Sequence, residues 1–471
     1  SFYLGMRVVE GHGAVPAGEP NPSGLPVVGR LRLHHVRSGC LEAGGFACSS
    51  DTYNGAHRII DAAIRSNMMH VLTDCPHREK LGWLEETYLM APSLLYRYDC
   101  NALLSKVEQD IRDAQLPSGR VRTVAPSYPG GRFPDAFDWT VEWGAAAVLL
   151  PWERYRWTGD PDVLRDNFDT MRAFVDHVDA EATDELAPGG RGDWYDYGHV
   201  QPPGPSRFTP QRLSATACWA LCVRAVADAA RVLGRDALAA GYQRRHAQIA
   251  AAFRRAFRDP TTGAVQHLGS PQCGAAMAIV SGVAPPEDHA LLVEGIVNDL
   301  RARDWQQTPG DIGHVYLIRA LAQAGRSDVL HRVYSRTGVG SYGGVLAKGL
   351  TAMPETWDAT RDGYQSLNHF MLGHVVEWLY EYVLGVRQAP GAIGWRRVLI
   401  APCPGRLTEA RGRVLTPHGP IHCRWHVKGE KLHATVVLPT GREPPMEAEC
   451  VSPDNTRQRL SPGTNEVVGG L

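Results

Sequence analysis

From about Asn54 onward the chain repeats apolar residues at helical spacing, as in Ile59, Ile60, Ala63 and Ile64, and the pattern holds for over 300 residues. The body of such a chain is mainly α. Cut at its Gly and Pro breaks, the pattern predicts twelve helices, near 54–69, 84–97, 100–114, 140–157, 161–179, 212–233, 236–257, 273–281, 287–302, 312–324, 326–335 and 366–384. Long loops at 117–138, 188–210 and 336–364 separate them and hold most of the Trp, Asp and Glu residues suited to chemistry. Loops this long inside a compact fold usually build a site. Twelve helices with such loops at one end suggest six hairpins closed into an (α/α)6 barrel. A helical solenoid is the alternative, and the lack of any visible 34- to 45-residue repeat counts against it.

The texture differs at both ends. Residues 1–45 are rich in Gly and Pro with short β-type runs at 7–9 and 31–36, a β-containing segment that reads as the remnant of something larger upstream. After Gly391 the runs 398–401, 407–415, 421–427, 432–438 and 446–451 read as strands of a small C-terminal β-sandwich. The expected division is therefore 1–45, a helical barrel over 46–388, and a sandwich over 389–471. The sandwich holds no concentration of acids or Trp, which favours a structural role for it.

Composition removes several function classes. With 49 Lys+Arg against 50 Asp+Glu and no basic run, the chain lacks the excess positive charge by which phosphate backbones are held, so nucleic acid is not an expected partner. Apolar stretches are broken before the ~18 to 20 residues a bilayer requires, and no membrane association is expected. The start, Ser1 to Arg7, shows neither an initiator Met nor a signal-peptide pattern, as a processed or trimmed chain would. The ten Cys residues are scattered without a C-x-x-C, and the 19 His residues form no H-x-x-x-H or H-E-x-x-H run. No metal or other cofactor is therefore expected. Gly338-Val-Gly-Ser-Tyr-Gly343 matches G-x-G-x-x-G but has no βαβ unit around it, and reads as a turn-rich loop.

The densest chemistry lies at 73–86, Thr-Asp-Cys-Pro-His-Arg-Glu-Lys-Leu-Gly-Trp-Leu-Glu-Glu, where Pro76 argues for a loop that enters a helix near Leu84. A plain reading is a helix entry in which acids favour the dipole and Arg78 pairs with one of them. The same residue types also suit a sugar: carboxylates and a planar Arg fix hydroxyls, while an indole covers the C–H face of the ring. Cys75 as a nucleophile would need an orienting base, which His77 two residues away does not establish. Further acid–aromatic clusters stand at 134–144, 192–198 and 354–358, the last followed by Ser366-Leu-Asn-His-Phe370. Four such clusters outside helix interiors point to a shared cavity. A carboxylate from the first and one from the last would supply the acid and base of glycoside hydrolysis.

Taken in order, Asp74-Cys-Pro-His-Arg-Glu-Lys-Leu-Gly-Trp83, Asp138-Trp-Thr-Val-Glu-Trp-Gly144, Gly192-Asp-Trp-Tyr-Asp196, Pro354-Glu-Thr-Trp-Asp358 and Ser366 to Phe370 resemble the bacterial α-L-rhamnosidases of glycoside hydrolase family 78. The resemblance covers about residues 45 to 470. It implies an (α/α)6 barrel whose cavity takes a terminal L-rhamnose of a glycoside or oligosaccharide, and hydrolysis with inversion. It further implies Glu79 as general acid, with a raised pKa, and Glu355 as the carboxylate base that activates water. Asp74, Arg78, Trp83 and His369 would hold the sugar, Trp143 and Trp194 would form aromatic walls, and Glu86, Asp138 and Trp139 would make further contacts. Many members carry one more residue between Asp-Cys-Pro and Leu-Gly-Trp, so Glu79 is assigned from the Leu-Gly-Trp side, with Asp74 as the alternative acid. A Glu also stands at 86 where an Asp is common. Three other readings keep the toroid: a different glycosidase, a uronate polysaccharide lyase using Tyr195, Tyr197 or His369 as base, and a sugar-binding protein without turnover.

Overall fold

The computed structural model describes residues 5–6, 10–127, 135–198, 204–441 and 446–471. Two kinds of helix alternate along the chain. Leu84–Arg97 buries every residue, and Gln211–Val232, Gln272–Ser281 and Gly313–Gln323 are buried on most sides. A helix apolar all round belongs inside. Asn101–Ala114, Pro161–Glu181, Asp236–Phe257, His289–Ala302 and Ser327–Tyr334 bury one stripe, for example Leu103, Leu104, Val107 and Ile111, and turn polar residues outward.

Paired in order, an outer helix leads to an inner one six times: Asp51–Asn67 to Leu84–Arg97, Asn101–Ala114 to Ala146–Thr158, Pro161–Glu181 to Gln211–Val232, Asp236–Phe257 to Gln272–Ser281, His289–Ala302 to Gly313–Gln323, and Ser327–Tyr334 to Val375–Trp378, which runs on as a π turn, Leu379–Val383. This is an (α/α)6 barrel. Every inner-to-outer connection is short, while every outer-to-inner one is longer. The long loops therefore gather at one end, over the N-termini of the inner helices. At the other end the C-terminal halves of the inner helices surround a partly open cavity of about 770 Å³, lined on one side by 387–393 and Trp395.

Several boundaries differ from the expectation. The first helix starts at Asp51, where Ser50 Oγ accepts from Tyr53 N. The helix expected over 140–157 divides at Ala145, where Val148 N bonds the nearer Ala145 O at 3.0 Å. The last helix does not start at 366, because Ser366 N and His369 N are bonded sideways to Glu355 Oε2 and Met353 O. A short helix, Tyr342–Ala347, appears inside the 336–364 loop, capped by Ser341. Residues 31–36 form no strand, and 7–9 lie outside the described residues. By length and composition alone Gln211–Val232 could cross a membrane, against the reading of its sequence, yet it is a buried inner helix.

Two sheets follow the barrel. A five-stranded antiparallel sheet runs in the order Gly463–Gly470, Lys431–Leu438, Gly419–Lys428, Glu409–Thr416 and Gly45–Cys48, so a strand from before the barrel forms its edge. The second sheet runs in the order Arg457–Leu460, Glu447–Val451, Arg397–Ile400 and Val386–Gln388. Alternation supplies the buried face: Ile421, Cys423 and Trp425 on one strand, Leu432, Ala434, Val436 and Leu438 on the next. Trp425 Nε1 donates to Val383 O at 3.0 Å and ties the sandwich to the last inner helix.

Candidate active site

The loop 73–83 is a closed turn. Asp74 N donates to Leu81 O (3.0 Å), Leu81 N donates back to Asp74 Oδ1 (2.9 Å), and Lys80 takes a positive φ of 56° so that the chain can reverse between them. The turn is clamped from outside by Ala125 N on Gly82 O and Leu84 N on Thr123 O. Only glycine fits at 82, since a Cβ there would stand 2.4 Å from Ala125 O. The turn faces Glu79 and Trp83 toward each other, and Trp83 Nε1 donates to Glu79 Oε2 at 2.8 Å.

The loop 353–369 brings the second carboxylate. Glu355 N bonds Ser366 O at 2.9 Å, and Ser366 N returns a bond to Glu355 Oε2 at 2.6 Å. Arg78 crosses from the first loop: one terminal nitrogen lies 2.7 Å from Glu355 Oε2, the other donates to Tyr364 O, and the guanidinium lies 4.9 Å from the Tyr364 ring centre. His369 Nε2 meets Glu86 Oε1 at 3.2 Å on the first turn of Leu84–Arg97.

Burial sets the protonation of this group. It raises the Glu79 carboxyl, the Asp74 charge adds to the rise and Glu355 adds less, while the Trp83 bond and Arg78 oppose it. Burial also raises Asp74, and drives Glu85, Glu86 and Asp311 well above the ordinary carboxylate range. His369 is lowered, again by burial, and so is neutral in the folded protein near pH 7. The Cys75 thiol is pushed up to about 11 by burial and by Asp74, which leaves it a poor nucleophile. Glu86 Oε2, Glu85 Oε2, Asp311 Oδ1, Trp143 Nε1 and His369 Nδ1 are buried and have no hydrogen-bond partner among the described residues. Such groups suit the hydroxyls of a sugar.

The structure thus brings Asp74, Arg78, Glu79, Trp83, Glu86, Glu355 and His369 into one contiguous group. Trp143 and Trp194 stand beside it, each within 6 Å of the Arg191 guanidinium, which also lies 5.7 Å from the Trp83 ring. Asp138 and Trp139 have other company. Asp138 pairs with Arg122 and, at 3.7 Å, with Arg120, while Trp139 packs on Phe174 and His177 of the outer helix Pro161–Glu181. Sequence reasoning missed Arg191, Glu85 and Asp311. Glu85 stands inside the 73–86 cluster and Arg191 adjoins the Gly192-Asp-Trp cluster, which were the available signals, whereas Asp311 stands in no motif. Among the described residues no group of three or more His, Cys, Asp or Glu is placed to hold a metal ion.

The fold is thus an (α/α)6 toroid that collects buried carboxylates and indoles over the inner-helix N-termini. Residues 41–383 match the model of the bacterial alpha-L-rhamnosidase six-hairpin glycosidase domain, and 385–465 that of the bacterial alpha-L-rhamnosidase C-terminal domain. The chain belongs to the bacterial alpha-L-rhamnosidase family. It is 31% identical over 447 residues to an alpha-L-rhamnosidase of Streptomyces avermitilis, covering 93% of this chain and 41% of that protein. One of Formosa agariphila is 26% identical, covering 91% and 46%. Among solved structures, the Streptomyces avermitilis alpha-L-rhamnosidase complexed with L-rhamnose superposes with a TM-score of 0.81 at 29% identity, over 92% of this chain and 42% of that one. The Aspergillus terreus enzyme gives 0.84 at 26%, over 92% and 50%. The chain spans less than half the length of these curated relatives.

Proposed function

We propose that this chain is the catalytic part of an exo-acting α-L-rhamnosidase that releases terminal α-L-rhamnose from a glycoside or oligosaccharide with inversion. The observation that carries the reading is the contrast between two carboxylates in one site. Glu79 is half-buried beside other acids and raised, as suits a general acid that must hold its proton until the glycosidic oxygen takes it. Glu355 sits 2.7 Å from the Arg78 cation and accepts from Ser366 N, surroundings suited to a carboxylate base.

In this mechanism Glu79 protonates the leaving oxygen while Glu355 takes a proton from a water on the opposite face of the ring, which attacks the anomeric carbon. An inverting pair needs ~6.5 to 9.5 Å between carboxyls to admit that water. Asp74, Glu86 and His369 hold hydroxyls, Arg78 orients Glu355, and Trp83, Trp143 and Trp194 cover the apolar face of the sugar. Support for rhamnose as the sugar comes from family membership and from the rhamnose complex of the Streptomyces avermitilis relative.

The test is hydrolysis of an aryl α-L-rhamnoside by wild type, Glu79→Gln and Glu355→Gln, with the first product anomer read by proton NMR. The expected result is β-L-rhamnose from wild type and a loss of about 10³-fold or more in turnover for each variant. Release of α-L-rhamnose, or full activity in either variant, overturns the assignment.

A further inference from the structure

We propose that Arg191 is a positioning residue that fixes the aromatic wall of the pocket and, through Trp83, the general acid Glu79. Its guanidinium carbon lies 4.0 Å from the ring centre of Phe137, 5.2 Å from Trp143, 5.6 Å from Trp194 and 5.7 Å from Trp83. These four rings come from three separate stretches of chain, 82–84, 135–144 and 188–198; backbone bonds from Leu84 N to Thr123 O and from Thr123 N to Asp138 O tie the first two together, and the rings of all three meet at Arg191. One planar cation among the rings fixes how their faces sit against one another, because a guanidinium is weakly hydrated and stacks on aromatic faces.

Arg191 is itself well anchored. It is only 5% exposed, its carbonyl accepts from Ser206 N at 2.9 Å, and the next residue, Gly192, has a φ of 67° and no room for a side chain against Ser206. Burial lowers its pKa to about 10, with Glu85 and then Glu142 opposing, so it remains a cation at neutral pH. From Arg191 the path to the chemistry is short: the Trp83 ring, then the 2.8 Å bond from its Nε1 to Glu79 Oε2. The charged groups that face Glu79 are Asp74, Glu355 and Arg78, and the Trp83 donor favours its ionised form.

The kinetic part of this inference rests on the rhamnosidase reading; the structural part does not. The experiment compares wild type, Arg191→Met, Arg191→Lys, Trp83→Phe and Arg191→Met/Trp83→Phe. It reads kcat against pH on an aryl α-L-rhamnoside, and the Trp83 indole N–H resonance, identified by its loss in Trp83→Phe. Arg191→Met is expected to lower kcat about 30-fold, a fraction of what a positioned general acid supplies, and to move the basic limb to higher pH, as losing the Trp83 donor does. Its Trp83 resonance shifts upfield, as for a weakened bond to a carboxylate. Arg191→Lys recovers part of each effect, and in the Trp83→Phe background Arg191→Met moves the limb no further. A wild-type limb with an unmoved Trp83 resonance in Arg191→Met overturns the proposal, as does an undiminished limb shift in the Trp83→Phe background. Should Arg191→Met not fold, Arg191→Lys is read by the same two criteria. If wild type releases no rhamnose, the rhamnosidase reading fails and the Trp83 resonance alone decides the role of Arg191.

Discussion

Trp83 Nε1 donates to Glu79 Oε2 across 2.8 Å, so the proposed general acid is held by an indole four residues along its own loop. The bond stabilises the ionised acid, against burial and the Asp74 charge, which favour the protonated one. Glu79 is therefore set by opposing influences, and the protein can place its pKa by adjusting either.

Removing the donor tips that balance. In Trp83→Phe the ring volume stays and the N–H is lost, so the Glu79 pKa rises further. The acid then remains protonated to higher pH, and the basic limb of kcat moves up by about one pH unit, the size expected for one hydrogen bond to a charged group. A pH–rate series on an aryl α-L-rhamnoside checks this, and a downward shift of the limb contradicts it.

The Arg78–Glu355 pair gives a second prediction. Both side chains are largely shielded from water, and Arg78 also binds Tyr364 O, so its guanidinium joins two turns of different loops. Arg78→Met leaves Glu355 without its cation and unties the two loops, and kcat/KM falls about 30-fold or more. Arg78→Lys restores charge without the planar two-point grip and recovers a minority of that loss. Equal activity in the two variants would show that geometry at Arg78 is unimportant.

Much of this was legible in the sequence because two periodicities carried it. The helical spacing from Asn54 and the alternation in Ile421 to Leu438 report which faces are buried, and burial decides the elements. That the clusters at 73–86 and 354–370 would meet was also legible, as acids and aromatics concentrated in loops. What stayed hidden is tertiary. The 366–370 stretch runs straight into the apolar spacing of the last helix, yet N–H groups of Ser366 and His369 serve Glu355 and Met353, a partnership no local pattern encodes. Gly45–Cys48 pairs with a strand more than 350 residues away, so it could not be read as part of the C-terminal sheet. Arg191 and Asp311 matter through neighbours on other loops, and single residues without periodic context leave no such trace.

Glu142 links stability to pH. It is fully buried, and burial pushes its carboxyl up to about 7, against bonds from its own backbone and from Ser214 and the charge of Arg191. The unfolded chain releases this proton near its ordinary value of about 4.3, while the folded chain keeps it to about 7. Its stabilising contribution is therefore complete below about pH 4.3 and is lost as pH rises through 7, a change of about 4 kcal/mol at most. Glu142→Gln keeps an acceptor for Ser214 and removes the titration. Denaturant unfolding should show the variant gaining on wild type between pH 5 and pH 8; a constant difference across that range rules the linkage out.

Two neighbouring tryptophans should respond in opposite ways. Trp139 and Trp143 fall in one sequence cluster and lie on either side of Thr140, whose Oγ1 accepts from Trp143 N at 3.3 Å to start the short helix Val141–Gly144. That helix start turns the two rings apart. Trp139 goes outward to Phe174 and His177, with ring centres 5.9 and 5.0 Å away, whereas Trp143 goes inward to Arg191, with its Nε1 buried and unpartnered among the described residues. Trp139→Phe keeps most of the outward packing, so kcat/KM on an aryl α-L-rhamnoside should stay within about 3-fold of wild type while stability falls by about 1 kcal/mol. Trp143→Phe removes an N–H and ring area from the proposed sugar wall. It should raise KM or lower kcat/KM at least 10-fold, the scale of one polar contact to the substrate. Steady-state kinetics on the two variants side by side decide the matter, since a large kinetic effect at Trp139 with none at Trp143 would place the sugar on the wrong face of this helix start.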